Sequence, residues 1–274
     1  MITIPKSLGF LINSVGIVSK KTAARVALYL FTTPRNGQIT PKQSKFLKSA
    51  VSKTLFFEDY QINTYTWKGS GPTILLAHGW ESNSGRWHFL IKDMQDLNYN
   101  IVALDAPAHG NSGSKRFNAI LYANFMQVVS NHYHPDIVIG HSVGGMAAVY
   151  AQTKLKSANV KKMVLLGTPT KFEGVINRYY HMMGFSERTK QATNKHIETV
   201  FNVAPKNFST AQFSKQLAIK SLIIHDNKDR VIPYADAIEL HANLTNSTLI
   251  TTSGFGHSLK DRSISDHILT FLKG

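Results

Sequence analysis

Residues 136–145 read Asp136-Ile137-Val138-Ile139-Gly140-His141-Ser142-Val143-Gly144-Gly145, and this stretch decides the fold. A run of β-branched apolar residues leads directly into Gly-x-Ser-x-Gly and then into an alanine-rich stretch, so strand, sharp turn and helix follow one another without a loop. Such a turn can hold a serine oxygen exposed at the carboxyl end of a strand only if its neighbours carry no side chains, and Gly140, Gly144 and Gly145 supply that room. The helix beyond brings its free N–H groups and positive dipole end beside Ser142, where a negative oxygen would be stabilised.

Working outward, compact apolar runs recur at Thr73–Ala77, Ile101–Leu104, Asp136–Ile139, Met163–Leu166, Ser221–His225 and Thr248–Thr251. Each is of buried-strand type. Segments of helical length lie between them, at about Trp87–Leu97, Asn118–His132, Gly145–Lys156, Tyr234–Leu244 and Asp261–Lys273. The alternation predicts an α/β fold with a mostly parallel central sheet flanked by helices. Thr54–Tyr60 and Gln61–Trp67 read as a hairpin-like pair at one edge. Between the strands ending at Leu166 and starting at Ser221 the chain is too long for a simple crossover. Residues 170–212 carry Phe172, Tyr179, Tyr180, Met182, Met183 and Phe185 among polar residues and are expected to form an inserted helical subdomain. The reading divides the chain into a basic N-terminal segment 1–53, a core of 54–169 with 213–274, and the insertion 170–212.

Composition sets the outer limits. With 43% hydrophobic and 17% charged residues in 274, the chain has a core to bury, and with no cysteine it has neither disulfides nor a thiolate nucleophile. The net charge of +15 is uneven: residues 1–57 hold nine Lys/Arg and no acid before Glu58. No nucleic-acid-binding motif accompanies that charge, so no nucleic-acid partner is expected. Two apolar stretches, Leu8–Val18 and Ala23–Phe31, are too short to span a membrane, and the first makes a poor secretory leader because Asn13 and Ser14 interrupt it. The chain is expected in the cytoplasm. Residues 1–53 are read as docked on the main domain, with weak contact at a membrane surface as the other reading. Oligomeric state is not legible.

A serine of ordinary basicity needs a base, and the base needs a carboxylate to fix its tautomer. Late in the chain, after two more strands, stand the carboxylates Asp226 and Asp229 and then His257 in Gly254-Phe255-Gly256-His257-Ser258. Serine, acid, then histidine is the order expected of a strand, elbow and helix of this kind. After the strand ending at Ala77, His78-Gly79-Trp80 offers the exposed amide of Trp80 as a second oxyanion donor. Asp105, His109 and Ser112 read as a structural turn. His225 reads as structural and His141 as a packing neighbour of Ser142. The histidine spacing gives no metal-ligand pattern, and no cofactor is implied.

With these residues in view, the chain from about 54 to 274 resembles the alpha/beta hydrolase superfamily. The resemblance rests on His78-Gly79-Trp80, Asp105-x-Pro107-x-His109-Gly110-x-Ser112, Gly140-His141-Ser142-Val143-Gly144, Asp229-x-x-Ile232-Pro233 and Gly256-His257. It implies Ser142 as nucleophile, His257 as general base and acid, Asp229 rather than Asp226 as the orienting carboxylate, and the backbone N–H groups of Trp80 and Val143 as the oxyanion hole. It makes the insertion a cap. The expected activity is hydrolysis of carboxylic esters, or thioesters, of small to medium apolar substrates through an acyl-enzyme. Lipase, thioesterase, acyltransferase and carbon–carbon bond hydrolase are alternatives, as is a non-catalytic hydrolase-like protein that holds a small apolar ligand.

Overall fold

The apolar runs become strands of one eight-stranded sheet in the computed structural model, which describes residues 4–156 and 160–274. The strands are β1 Val51–Phe57, β2 Tyr60–Trp67, β3 Thr73–Ala77, β4 Asn100–Leu104, β5 Ile137–His141, β6 Lys162–Leu166, β7 Lys220–Asp226 and β8 Ser247–Thr252. Their spatial order is β1-β2-β4-β3-β5-β6-β7-β8. β1 and β2 form an antiparallel hairpin and β2 meets β4 antiparallel; every other pairing is parallel. The expected α/β architecture is therefore what forms.

Eleven α-helices lie among the described residues: α1 Ile4–Val18, α2 Lys20–Thr32, α3 Pro41–Leu47, α4 His88–Asp96, α5 Ala119–Tyr133, α6 Val143–Lys154, α7 Phe172–Met183, α8 Glu187–Phe201, α9 Thr210–Ser214, α10 Tyr234–Asn243 and α11 Arg262–Lys273. The strand side chains alternate between two buried faces, which is why the runs look continuously apolar. Ile74 and Leu76 point into one cluster with Trp87, Leu90 and Ile268. Leu75 and Ala77 point into the other with Tyr122, Phe125 and Ala147.

The chain divides into two compact units. One joins the residues up to Thr33 to Lys171–Ser209; the other holds Pro34–Thr170 and Thr210–Gly274. In the smaller unit, Ile12, Ala23 and Leu28 of the first two helices share a core with Ile176, Tyr180 and Ile197 of α7 and α8. Gly9 allows the closest approach: a Cβ there would sit 1.7 Å from the carbonyl oxygen of Met183. Two expected boundaries shift. Residues 34–53 group with the sheet rather than with a separate N-terminal segment, because Phe46 of α3 stacks on Trp67 at 5.5 Å and β1 already pairs from Val51, opposite Thr66. The insertion unit closes at Ser209, and α9 belongs with the sheet. The first three residues of the expected basic segment lie outside the described residues.

Candidate active site

Parallel pairing brings the strand ends into register at one edge of the sheet. Ala77 pairs with Leu104 and with Gly140, and His141 pairs with Leu166. β3 lies between β4 and β5, so the chain order reverses there; crevices at such a switch point are where open α/β sheets bind ligands. The segments leaving β3, β4, β5, β6 and β7 all start at this edge.

Ser142 is the hinge between β5 and α6, with φ 54° and ψ −126°. A non-glycine residue in that region costs about 1–3 kcal/mol and persists only where its surroundings enforce it. Here they do: the Ser142 amide donates to the Leu166 carbonyl at 2.8 Å, and its own carbonyl accepts the amides of Gly145 at 2.9 Å and Met146 at 3.2 Å. The glycines are forced by crowding. A Cβ on Gly144 would stand 2.4 Å from the Ala77 carbonyl oxygen, and one on Gly145 would stand 2.0 Å from Thr168 Oγ1.

His257 lies in a one-turn helix after β8, Gly256–Ser258, and Asp229 lies three residues past β7. The structure brings both to Ser142. His257 Nε2 is 3.0 Å from Ser142 Oγ, and His257 Nδ1 is 2.7 Å from Asp229 Oδ2. Asp229 is fully buried at its side chain. Its other oxygen accepts the amides of Val231 at 2.7 Å and Ile232 at 3.0 Å. Burial opposes its ionisation, but the hydrogen bonds from His225, His257 and the Ile232 amide outweigh it and hold the carboxyl well below the usual carboxylate range. Asp226 is turned away. It accepts the Lys228 amide, the Thr252 hydroxyl and the Phe255 amide, and so ties the end of β7 to the loop after β8.

The remaining sequence candidates fall into place by geometry. The amide of Val143 is the first of α6, and that of Trp80 lies in the loop after β3. Neither makes a hydrogen bond among the described residues. Gly79 rests against the elbow, since a Cβ there would be 3.0 Å from Ser142 Cβ. Asp105 accepts the amides of Ser84 at 2.8 Å and Asn111 at 2.9 Å, and Ser112 Oγ donates to the Asp105 carbonyl at 2.7 Å, so this loop is a structural turn.

Two contributors go beyond the sequence reading: His225, which reads there as structural, and Arg86, which it does not single out. His225 is buried and its Nε2–H donates to the Ile232 carbonyl at 3.0 Å while lying 3.4 Å from Asp229 Oδ2. It lies beside the same carboxylate oxygen that His257 Nδ1 contacts. Arg86, in the one-turn helix Ser84–Trp87, is buried, and among the described residues it has no carboxylate partner. One of its amino groups donates to His141 Nδ1 and the other to the Ser258 carbonyl at 3.0 Å, while its guanidinium carbon lies 4.8 Å from the centre of the Trp87 ring. His141 Nε2 in turn donates to the His257 carbonyl at 2.8 Å. Burial pushes the Arg86 guanidinium down from its ordinary range and, with the Arg86 charge, pushes His141 down too, so His141 is neutral and accepts at Nδ1. Together Arg86 and His141 clamp the backbone on which His257 is mounted.

Comparison with known proteins bears on this geometry at the level of the family. A family model described as alpha/beta hydrolase fold matches residues 72–211, and one described as TAP-like protein matches 196–274. The chain is 25% identical over 273 residues to the uncharacterised hydrolase YugF of Bacillus subtilis strain 168, covering 82% of this chain and 99% of that protein. It is 31% identical over 106 residues to a pimeloyl-[acyl-carrier protein] methyl ester esterase of Pseudoalteromonas atlantica, a match covering 38% of this chain and 40% of that protein. Among solved structures, the esterase EaEST of Exiguobacterium antarcticum superposes with a TM-score of 0.64 at 17% identity, covering 82% of this chain and all of that one, 100%. A family-model match over half of the chain, on a sheet with this strand order and elbow, shows that the chain belongs to the alpha/beta hydrolase family.

Proposed function

We propose that the protein is a serine hydrolase that cleaves carboxylic esters through an acyl-enzyme. The observation that carries this reading is the single imidazole of His257, with Ser142 Oγ 3.0 Å from one nitrogen and Asp229 Oδ2 2.7 Å from the other. Asp229 accepts from Nδ1–H, which leaves the Nε2 lone pair facing the serine hydroxyl. Ser142 Oγ attacks the ester carbonyl carbon and its proton passes to His257 Nε2; the buried Asp229 carboxylate stabilises the imidazolium so formed. The carbonyl oxygen takes up the negative charge, and the free amides of Val143 and Trp80 are the donors assigned to it. The tetrahedral adduct then expels the alcohol, which leaves with the proton from Nε2. Water repeats the sequence on the acyl-enzyme: its proton goes to His257 as it adds, and returns to Ser142 Oγ as the acid is released.

The acyl portion is assigned as apolar and small to medium. Trp80 carries its indole 5.3 Å from the Phe117 ring and 5.4 Å from the His109 ring, so the chain beside that amide is aromatic rather than charged. The relative named as a methyl ester esterase supports an oxygen ester; a thioester is the second leaving-group class, because the same attack on the carbonyl carbon can expel a thiol in place of an alcohol. The test is a p-nitrophenyl ester series from acetyl to long acyl chains, run with a matching acyl thioester, on the protein beside Ser142→Ala. The expected result is turnover that falls at least 10³-fold in the variant, with covalent labelling of Ser142 by a fluorophosphonate. Turnover that survives in Ser142→Ala, or a protein that neither turns over nor takes the label, overturns the reading.

A further inference from the structure

The smaller unit leaves one helix half bare. α1 buries only Gly9, Ile12 and Gly16. It is pinned by Asn13, which donates to the Gly184 carbonyl at 2.9 Å and accepts the Ser186 amide at 3.0 Å, and by Arg188 Nε, which donates to the Gly16 carbonyl at 2.8 Å. On its outer side Ile4, Leu8, Leu11, Val15 and Val18 follow one another at alternating spacings of four and three and are all exposed, Val18 at 90%. Phe10 and Ile17, exposed at 70% and 73%, extend this stripe round the helix. Placed at 3.6 residues per turn, the seven side chains cover roughly half of the circumference. Ser7 and Ser14 are the only polar residues within that arc.

We propose that this face of α1 docks on an anionic membrane surface. The width of the arc favours a lipid surface over a partner helix, which would cover the narrow stripe from Ile4 to Val18 and leave Phe10 and Ile17 in water. Charge favours it over a second copy. Up to Thr33 the chain holds Lys6, Lys20, Lys21 and Arg25 and no acid, and with Lys171–Ser209 the unit carries ten Lys/Arg against three Glu. Two such units repel each other, whereas anionic headgroups attract each basic residue within a Debye length. Lys6, Ser7, Phe10, Leu11, Asn13 and Gly184 line an open groove of about 530 Å³, where an ammonium group stands beside apolar walls. That pairing suits a phosphate headgroup with the start of its acyl chain. At about 1.5 Å per residue, the helix falls short of a hydrocarbon core of about 30 Å, and no helix among the described residues is long and apolar enough to cross a membrane. α1 lies on the surface rather than through it.

The experiment is flotation of the full chain with vesicles of pure phosphatidylcholine and with vesicles containing 30% phosphatidylglycerol, at low and high salt. Binding to the anionic vesicles is expected, weakened at least tenfold by high salt and at least tenfold by the combined change Phe10→Ser, Ile17→Ser and Val18→Ser. Lys20→Glu with Lys21→Glu, which reverses charge at two exposed positions, is expected to weaken binding to the anionic vesicles alone. Both variants should hydrolyse a soluble ester at the unaltered rate, and Ser142→Ala should bind vesicles as the parent does, so failure here is separable from failure of the proposed chemistry. Unchanged binding in both variants overturns the proposal. So does absence of binding to either vesicle, including the case where sedimentation shows a dimer that the triple variant dissolves.

Discussion

His257 is gripped at its side chain by Asp229 and at its backbone by Arg86 and His141, whose own ring packs 4.9 Å from the His257 ring. The two grips predict different failures. Asp229→Asn removes the acceptor that fixes the tautomer and should cut kcat by about 10²–10⁴-fold with the fold intact. Asp226→Asn weakens the tie between the β7 end and the loop after β8 and should instead lower the unfolding midpoint, with the smaller effect on kcat. Steady-state kinetics and urea melts on the pair separate these, and a larger kcat loss in Asp226→Asn would reverse the assignment. Arg86→Met leaves His141 and the Ser258 carbonyl without their donor, so the segment carrying His257 loosens. A misplacement of about 1 Å costs up to about 100-fold, so kcat is expected to fall about 10- to 100-fold with little change in KM. Arg86→Lys should not rescue it, because one ammonium cannot reach both acceptors as the planar guanidinium does.

At the scale of elements, the elbow is a packing solution first and a chemical device second. β5 must turn into α6 directly over the end of β3, and a Cβ on Gly144 would press on the carbonyls of Ala77 and His78 at 2.4 and 2.5 Å. Both are backbone and cannot swing aside. Gly144→Ala is therefore expected to destabilise by about 1–3 kcal/mol and to slow fluorophosphonate labelling of Ser142; an unchanged melt and labelling rate would contradict it. This part of the fold was legible because it is local: strand, glycines and helix sit within one stretch, and interior strands buried on both faces leave uninterrupted apolar runs. What lay hidden depends on distance in sequence. β1 began earlier than its pattern suggested because it is a mostly exposed edge strand. Arg86 and His225 looked like ordinary polar residues, since their work depends on carbonyls and carboxylates that only tertiary structure brings near. The pairing of the first two helices with α7 and α8 joins residues far apart in the chain, and no periodicity announces it.

Across the whole molecule, acid stability is set by rings that cannot accept a proton. His78, His109 and His141 are each buried and each use one nitrogen to accept a hydrogen bond: His78 from the Ala106 amide at 2.9 Å, His109 from the Glu81 amide at 2.9 Å, and His141 from Arg86. The other nitrogen donates, to the carbonyls of Gly79, Pro107 and His257. Protonation would set N–H against N–H in a dry site. Burial first, then nearby positive charge around His78 and His141, lowers all three below the ordinary value of 6.5. The unfolded chain thus binds these protons before the folded one. The stability they confer is fully present above about pH 6.5 and is lost as pH falls below it, by up to about 1.4 kcal/mol per pH unit for each ring. Asp229 and Asp226, both lowered, give up their contribution only below the ordinary carboxylate value of 3.8, so they do not govern this window. Buried Asp105, raised by desolvation, acts in the opposite sense and blunts the loss. Urea unfolding at pH 7.5, 6.0 and 5.0 should show stability falling across the series. His109→Gln, which keeps a donor and an acceptor but cannot titrate, should flatten the slope by about one proton; equal slopes in parent and variant would remove His109 from the account.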